Sequence, residues 1–256
     1  MNGIAHVALT VRDLPAMTRF YRDAIGLRPL SGDGTVQDLG AGGHVLLRLI
    51  ADPAARPADR RDAGLFHTAF LLPDRADLGA WLRHAAETGV RLTGASDHGV
   101  SEALYLDDPE GNGIEIYRDR PAADWTRDGA RILMTTERLD MADLAAAADA
   151  PWRGAPDGSV VGHVHLQVGD LDQAHGVLTG DLDLTRTFEA PGGAWYGWDG
   201  YHHNLAANVW NSRGAGLRPE GRTGLRYVAL QQQFRRDSEI VDPWGNRFTA
   251  ADVQAG

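Results

Sequence analysis

The sequence predicts an α+β protein made of four repeats of a β-α-β-β-β unit. A short segment that alternates apolar and polar residues recurs along the chain, and three copies place a His seven residues before an Asp. A helix-like stretch follows each of these copies, and short strand-like runs broken by Gly and Asp follow that stretch. Alternation with a period of two is typical of a half-buried strand, so each copy predicts a strand, a helix and further strands.

The first unit covers roughly residues 1–57 and begins with the strand-like segment AHVALTVRDL. Asp13 stands where the following helix needs an N-cap. Pro15 fits the first turn of a helix, because its missing N–H would have no partner there. Gly26 predicts the end of this helix. The run TVQDLGAGGHVLLRLI predicts the remaining strands.

The second and third units repeat this order. At roughly 62–121, FHTAFLLPD is followed by the amphipathic ADLGAWLRHAAETG, and at roughly 158–212, GHVHLQVGDL is followed by DQAHGVLTGDL. Gly89 and Gly180 predict the ends of the two helices. The fourth unit, roughly 222–256, is truncated, because RYVALQQQF has Tyr227 at the His position and no helix-like stretch after it.

These units divide the chain into two halves. The first half, with units one and two, covers residues 1–121, and the second half, with units three and four, covers residues 158–256. Residues 122–157 form a linker, in which one short helix is predicted around residues 141–148.

Composition excludes several classes of function. A formal net charge of −10 without a long basic stretch argues against nucleic-acid binding, which needs clustered Lys and Arg. No run of about 18 apolar residues predicts a membrane span, and the first residues lack the features of a secretory signal, so we expect a cytoplasmic protein. The absence of Cys excludes disulfides and Cys-ligated metals. Any transition metal must therefore be bound by nitrogen and oxygen donors.

Two units end in similar sequences, and one of them carries a carboxylate. DPEGNGIEIY places Glu115 in an apolar strand, whereas DPWGNRFTA has Thr249 at the same place. An inward-facing carboxylate costs several kcal/mol unless it is paired or bound to a metal. The alternative is that Glu115 faces solvent. Only the second unit combines the recurring His, here His67, with a carboxylate.

The sequence resembles the vicinal oxygen chelate superfamily, which includes glyoxalase I, fosfomycin-resistance proteins and extradiol dioxygenases. HGVSEALYLDDPEGNGIEIYRDRP and GYHHNLAANVW are specifically similar to the four-module catechol 2,3-dioxygenases of the CatE type. The resemblance implies four βαβββ modules that pair into two cupped-sheet halves. It also implies an extradiol ring-cleaving dioxygenase of aromatic hydrocarbon catabolism, which takes a catechol-type substrate and O₂.

The resemblance places the metal ligands on the first and last strands of the modules. It implies Fe(II), with Mn(II) as an alternative, bound by His67, Glu115 and one further His. That ligand is His163 if modules two and three pair, or His6 if modules one and two pair. Two imidazoles and one carboxylate are typical of non-haem Fe(II) sites. We favour His163, because its module also carries the segment 201–203, whose histidines are useful only beside the metal.

The resemblance also implies the remaining site residues. His203 is the expected acid–base residue, and His202 is expected on the opposite face of the same strand or behind the metal ligands. Tyr105 is expected to bind the catechol through a hydrogen bond, next to the pocket residue His98. The expected pocket further includes His165 and the aromatic side chains of Trp195, Trp198, Tyr201 and Trp210.

Two alternatives belong to other classes. A non-redox, glyoxalase-like or thiol-transferase metalloenzyme would share His and Glu ligands, and a non-catalytic protein of this fold would only bind an aromatic ligand. The four-unit length and the segment from His98 to Tyr105 favour the dioxygenase, whereas the truncated fourth unit favours the binding protein. Either a single copy or a homo-oligomer is compatible with the sequence.

Overall fold

The structure is a computed structural model that describes residues 2–231 and 239–251. In the first two modules the strands are β1 (Ile4–Val11), β2 (Arg28–Gly32), β3 (Val36–Ala41), β4 (His44–Ala51), β5 (Gly64–Leu71), β6 (Gly94–Asp97), β7 (Ser101–Asp107) and β8 (Gly113–Asp119). The linker contains β9 (Arg127–Asp128) and β10 (Arg131–Ile132). The last two modules contain β11 (Val160–Gln167), β12 (Thr185–Ala190), β13 (Gly193–Gly197), β14 (Leu205–Asn208), β15 (Gly224–Leu230), β16 (Ile240–Val241) and β17 (Arg247–Ala250).

The helices follow the first strand of the first three modules. They are α1 (Leu14–Phe20), α2 (Arg75–Thr88) and α4 (Leu171–Gly176), while α3 (Met141–Ala146) lies in the linker. Helices α1 and α4 continue into the π-helical turns Tyr21–Ile25 and Val177–Asp181, and Ala122–Asp124 form a 3-10 turn. In the described part of the chain, no helix is long and apolar enough to cross a membrane.

Two cupped sheets contain the strands of the four modules. The eight-stranded sheet has the order β12-β13-β14-β11-β5-β8-β7-β6, and the seven-stranded sheet has the order β16-β17-β15-β1-β4-β3-β2. Module two is therefore joined to module three through β5 and β11, and module one to module four through β1 and β15. The predicted α+β fold, with four modules paired into two sheets, is confirmed, and the described residues of the shorter fourth module form three strands.

Sheet membership does not follow the division of the chain into halves. Residues 1–121 supply one module to each sheet, and residues 158–256 do the same. The division into these ranges, joined by the linker 122–157, stays a prediction about the order of modules along the chain. In the fourth module, the segment predicted to lack a helix falls largely on 232–238, outside the described residues.

The Asp of each repeat begins a helix, as predicted. Asp13 accepts a hydrogen bond from Ala16 N, Asp170 accepts one from Gln173 N, and Asp74 forms a reciprocal capping box at α2. Each cap satisfies backbone N–H groups that the first helical turn leaves without a partner. The caps therefore fix where the chain turns from the first strand into the helix.

Glycine ends two of the three helices. Gly26 has φ 86° and Gly89 has φ 73°, the left-handed conformation that glycine adopts without a steric penalty. Gly180 lies near the end of the third helix, as predicted, although the π-helical turn continues to Asp181 and Leu182 is its C-cap.

Buried contacts between modules one and two connect the two sheets. Fully buried Trp81 on α2 donates from Nε1 to Ala24 O at 2.9 Å, and the Tyr21 hydroxyl donates to Asp108 Oδ2 at 2.9 Å. Burying one such large side chain contributes roughly 1.5–3 kcal/mol. Because the hydrophobic cluster extends over strands of both sheets, the two sheets share one core.

The linker runs along the edge of the eight-stranded sheet. Asp97 and Glu137 exchange backbone hydrogen bonds, and Thr135 N donates to His98 O at 3.0 Å. The predicted short helix is present as α3, which packs against α2. The linker is thus held beside β6 and borders the cavity described next.

Candidate functional site

Three buried side chains converge on the eight-stranded sheet. Nε2 of His67 lies 3.0 Å from Glu115 Oε2, Nε2 of His163 lies 3.1 Å from the same oxygen, and the two nitrogens are 3.3 Å apart. The register explains this convergence, because Ala69 pairs with Glu115 on one side and with His163 on the other. His67 precedes Ala69 by two residues and so shares its face. We call this group the His–Glu cluster.

The His–Glu cluster fits a metal ion. Metal–nitrogen and metal–oxygen bonds at such sites are about 2.1 Å long, so two ligand atoms at right angles are about 3.0 Å apart. The three observed separations match this value for one face of an octahedron. A shared cation would engage all three inward-pointing lone pairs at once. Among the described residues, it is the only group of His, Cys, Asp or Glu side chains close enough to share an ion.

Electrostatics favour the protonation states that a metal needs. Burial alone would raise the pKa of Glu115, but His163 and His67 outweigh it and hold that pKa well below its ordinary value. Burial lowers the pKa of His163, against the opposing effect of Glu115. Glu115 is therefore a carboxylate and His163 a neutral imidazole at neutral pH, and both are competent ligands.

His6, the alternative third ligand, lies in the other sheet. Its Nε2 is 3.4 Å from the hydroxyl of Tyr227. Ala8, two residues along β1, pairs with Arg48 on one side and with Tyr227 on the other, at the positions that Glu115 and His163 take in the eight-stranded sheet. We call His6, Arg48 and Tyr227 the Arg48 cluster.

A cavity of about 670 Å³ opens above the His–Glu cluster. One wall is aromatic and contains Phe66, Phe188, Trp195 and Trp210. The opposite side is more polar, with Thr93, Ser96, His98 and Tyr105, and residues 134–136 of the linker lie at its edge. The cavity therefore offers an apolar face and a hydrogen-bonding face on either side of the cluster.

Tyr105 and His98 form one polar flank of the cavity. Tyr105 is the direct cross-strand neighbour of Glu115, and its hydroxyl lies 2.7 Å from His98 Nε2. His98 Nδ1 lies 2.7 Å from Thr135 O, a carbonyl that can only accept, so Nδ1 carries a proton and donates it. Burial, the charge of Glu115 and a hydrogen bond to Glu115 raise the pKa of Tyr105 well above its ordinary value, so Tyr105 stays protonated.

His203 and His202 lie in a loop and not on a strand, because β14 begins only at Leu205. The expectation that His202 and His203 lie on opposite faces of one strand was therefore wrong, because neither residue is in a strand. His203 lines the cavity, with its ring centroid 4.1 Å from that of His163. His202 is fully buried behind it, and the two Nδ1 atoms are 2.6 Å apart. Burial lowers the pKa of His203 well below its ordinary value.

His165 lines the cavity as expected, whereas Tyr201 and Trp198 do not. Tyr201 turns away, because its hydroxyl donates to Asp119 at 2.7 Å. Trp198 points into the core and donates to Leu182 O. For His165 the orientation is set by Asn208, whose Oδ1 accepts from Trp210 N and whose Nδ2 therefore donates to His165 Nε2 at 3.0 Å.

Several residues at the site were missed from the sequence. Phe66 and Phe188 line the aromatic wall, and Asp119 contacts both Tyr201 and His202 behind the cavity. Asp119 follows Glu115 by four residues and so shares its strand face, a signal that could have identified it. The linker residues at the cavity edge gave no such signal, since their position depends on contacts distant in sequence.

Comparison with known proteins gives four informative similarities. The profile of the Glyoxalase/Bleomycin resistance protein/Dioxygenase superfamily matches residues 3–116. A Catechol-2,3-dioxygenase of Bacillus subtilis (strain 168) is 37% identical over 244 residues, which are 93% of this chain and 85% of that protein. Biphenyl-2,3-diol 1,2-dioxygenase 3 of Rhodococcus globerulus is 32% identical over 119 residues, 45% of this chain and 63% of that protein. Glyoxalase I from Zea mays has the same fold, with a TM-score of 0.60, 15% identity and coverage of 97% of this chain and 91% of that chain.

Proposed function

Since this chain belongs to the glyoxalase/bleomycin resistance protein/dioxygenase superfamily, we propose that it is an Fe(II)-dependent extradiol dioxygenase that cleaves a catechol-type ring with O₂. The resemblance seen in the sequence is confirmed at the level of the family and of its likeness to a catechol 2,3-dioxygenase. The observation that carries the proposal is the buried His–Glu cluster at the base of a cavity large enough for an aromatic ring.

The ligand set supports a redox metal that keeps open positions. Two imidazoles and one carboxylate occupy one face of an octahedron, as in non-haem Fe(II) oxygenases. When bound, Fe(II) would hold the diol and O₂ side by side and supply the electron exchange between them. Mn(II), which prefers similar ligands, is the alternative ion.

His203 is the group we assign to proton transfer. It faces the cavity beside His163, and burial holds its pKa low enough to keep the imidazole neutral at neutral pH. A neutral imidazole can accept a proton from a catechol hydroxyl and later return it. Such a positioned acid–base group is typically worth about 10²–10⁴-fold in rate.

Tyr105 and His98 act on the other side of the ring. The Tyr105 hydroxyl lies 2.7 Å from His98 Nε2, also hydrogen-bonds Glu115 and lines the cavity, so its oxygen can accept a further hydrogen bond from a ligand there. A catechol hydroxyl can donate to that oxygen, which would orient the diol above the His–Glu cluster.

The aromatic wall excludes water from the ring. Phe66 packs against His165 and Trp210, with ring centroids 5.0 and 5.3 Å apart. Asn208 holds His165 in one orientation, so this face of the cavity is already formed. A preformed apolar face favours a flat aromatic substrate, since little of the protein must be reordered when it binds.

Iron content and oxygen consumption test the proposal together. The full chain, reconstituted with Fe(II) without oxygen, is expected to bind one equivalent and to consume one O₂ per catechol. Glu115→Ala should lose both, whereas Arg48→Ala, at the equivalent position of the other sheet, should keep both. A chain that binds Zn(II) or Ni(II) and consumes no O₂ would support a glyoxalase-like enzyme, and one that binds catechol without any metal would support a binding protein. The cytoplasmic location and the oligomeric state stay predictions.

A further inference from the structure

We propose that Asp119 and His202 are positioning residues that fix the tautomer of His203, so that His203 Nε2 presents a lone pair to the cavity. The proposal rests on the proposed function, because it assigns to these buried residues the control of its acid–base group. Neither residue lines the cavity, so both would act only through His203.

A continuous chain of hydrogen bonds leads from the cavity into the protein. His203 Nδ1 lies 2.6 Å from His202 Nδ1, and His202 Nε2 lies 2.8 Å from Asp119 Oδ1. The other carboxylate oxygen of Asp119 accepts the Tyr201 hydroxyl at 2.7 Å. The Tyr201 oxygen in turn lies 2.9 Å from the hydroxyl of Tyr117.

The positions of the protons in this series of hydrogen bonds can be assigned by starting from Asp119. The Asp119 carboxylate only accepts, so His202 Nε2 must carry a proton that it donates. A neutral His202 then has a bare Nδ1, which accepts from Nδ1–H of His203. His203 Nε2 is left without a proton, which is the form that a general base needs.

The alternative is an imidazolium at His202, which would reverse this order. His202 would then donate to His203 Nδ1, and His203 Nε2 would carry a proton into the cavity. Two features oppose it. The carboxylate of Asp119 already receives a second hydrogen bond from Tyr201, and His202 is fully buried next to His203 in a region rich in imidazoles, where a further cation is costly.

The fold supports this chain at several points. Glu115, Tyr117 and Asp119 are every second residue of β8 and share one face of the strand. The strand that carries a candidate metal ligand therefore also carries two members of this series of hydrogen bonds. Gly162 leaves room for Tyr117, since a Cβ there would overlap the Tyr117 hydroxyl. The His202 ring packs on Tyr201, with centroids 4.1 Å apart, which restricts its rotation.

Histidine ¹⁵N NMR tests the tautomer directly. The full chain, labelled at histidine, would be measured without metal and with Zn(II), a diamagnetic ion, and the His203 signals would be assigned by their loss in His203→Gln. We expect a protonated Nδ1 and an unprotonated Nε2. A protonated Nε2 would overturn the proposal. The metal-free sample reports the tautomer even if no metal binds, so failure of the proposed function would be recognised separately.

A matched pair of variants tests the role of Asp119. Asp119→Asn should mix the His203 tautomers and lower kcat for catechol by about 10- to 100-fold, with KM changed by less than about threefold. Asp242→Asn removes another buried carboxylate, in the turn between β16 and β17, and should change neither the tautomer nor kcat. A wild-type tautomer and kcat in Asp119→Asn, or equal losses in both variants, would contradict the proposal.

Discussion

The His–Glu cluster and the Arg48 cluster occupy equivalent positions on two sheets of the same register. They differ in the charge at the centre, which is a carboxylate in the first cluster and a guanidinium in the second. The first directs a carboxylate and two imidazoles at one point, which leaves room for a cation. The second places the guanidinium of Arg48 in that position, where Asp38 binds it through two hydrogen bonds of 2.7 and 3.0 Å. One cluster could therefore take up a cation from outside, whereas the other already contains its own.

This difference shows that the fold supplies positions and a few side chains supply the chemistry. Both sheets begin their modules with a strand that carries a His or Tyr, and both contain the turn DPxGN. Among the described residues, the eight-stranded sheet alone combines a carboxylate on the last strand of a module with two His close enough to share an ion, and a cavity lies above them. The predictions below test whether function is confined to that sheet.

The largest effect is expected for the two histidines that the sequence left as alternatives. His163→Ala removes a donor of the His–Glu cluster and should give an iron-free, inactive protein. His6→Ala should fold, bind iron and cleave catechol, because His6 contacts Tyr227 in the other sheet. Iron analysis and oxygen uptake of the two purified variants provide the measurement. The reverse pattern would refute the assignment of the third ligand.

His203→Gln should separate proton transfer from metal binding. The side chain lies beside His163 but outside the His–Glu cluster, so iron should stay bound. We expect kcat to fall by about 10²-fold or more, the usual effect of losing an acid–base group. Loss of iron in this variant would instead make His203 a ligand.

Arg48→Met should affect stability and not function. It leaves the nearly buried Asp38 without its charge partner, which should cost about 1–3 kcal/mol of unfolding free energy. Arg48 holds the pKa of Asp38 below its ordinary value, so this stabilisation is present above the unfolded-state pKa of about 3.8 and is lost as pH falls through the lower folded value. Urea unfolding at pH 7 and pH 3 measures this. Iron content and kcat should match the wild type, and a large drop in either would break the comparison.

The smallest effect concerns the turn that both sheets share. Burial raises the pKa of Asp108 to about 6, so the protonated form is favoured in the folded state and stability rises as pH falls from 7.5 to 5. Asp108 should contribute about 1.4 kcal/mol to that rise, since pH 5 lies about one unit below the folded pKa and each unit is worth about 1.4 kcal/mol. Urea unfolding of the wild type and of Asp108→Asn at pH 7.5 and at pH 5 measures this contribution. It is the pH-dependent change in the unfolding free energy of the wild type minus the same change in the variant. Burial also raises the pKa of Asp242. The same comparison of the wild type with Asp242→Asn should therefore show a contribution to stability that also rises as pH falls.

Local patterns were sufficient to predict the repeat. The spacing of His and Asp marks a strand followed by an N-cap, and both depend on residues close in sequence. The helices after Asp13, Asp74 and Asp170 were predicted for this reason and are present. Grouping units one and two as a half of the chain said nothing about the sheets, since strand pairing between modules depends on contacts distant in sequence.

The candidate site was predicted more completely on the strands than in the loops, although His98 and His203 lie in loops and line the cavity. The family resemblance implied ligands on the first and last strands of the modules, and the structure brings His67, Glu115 and His163 together. Tyr201 was misplaced because it lies in a loop, whose direction is set by the hydrogen bond to Asp119. Tertiary contacts of this kind leave no periodic signal in the sequence.

Anomalous diffraction at the iron absorption edge tests the central claim most directly. Crystals of the full chain grown with Fe(II) in the absence of oxygen should show one peak between Nε2 of His67, Oε2 of Glu115 and Nε2 of His163. The Arg48 cluster in the same crystal is the internal control and should show none. A peak beside His6 and Tyr227, or no peak in crystals whose protein consumes O₂ with catechol, would contradict the account.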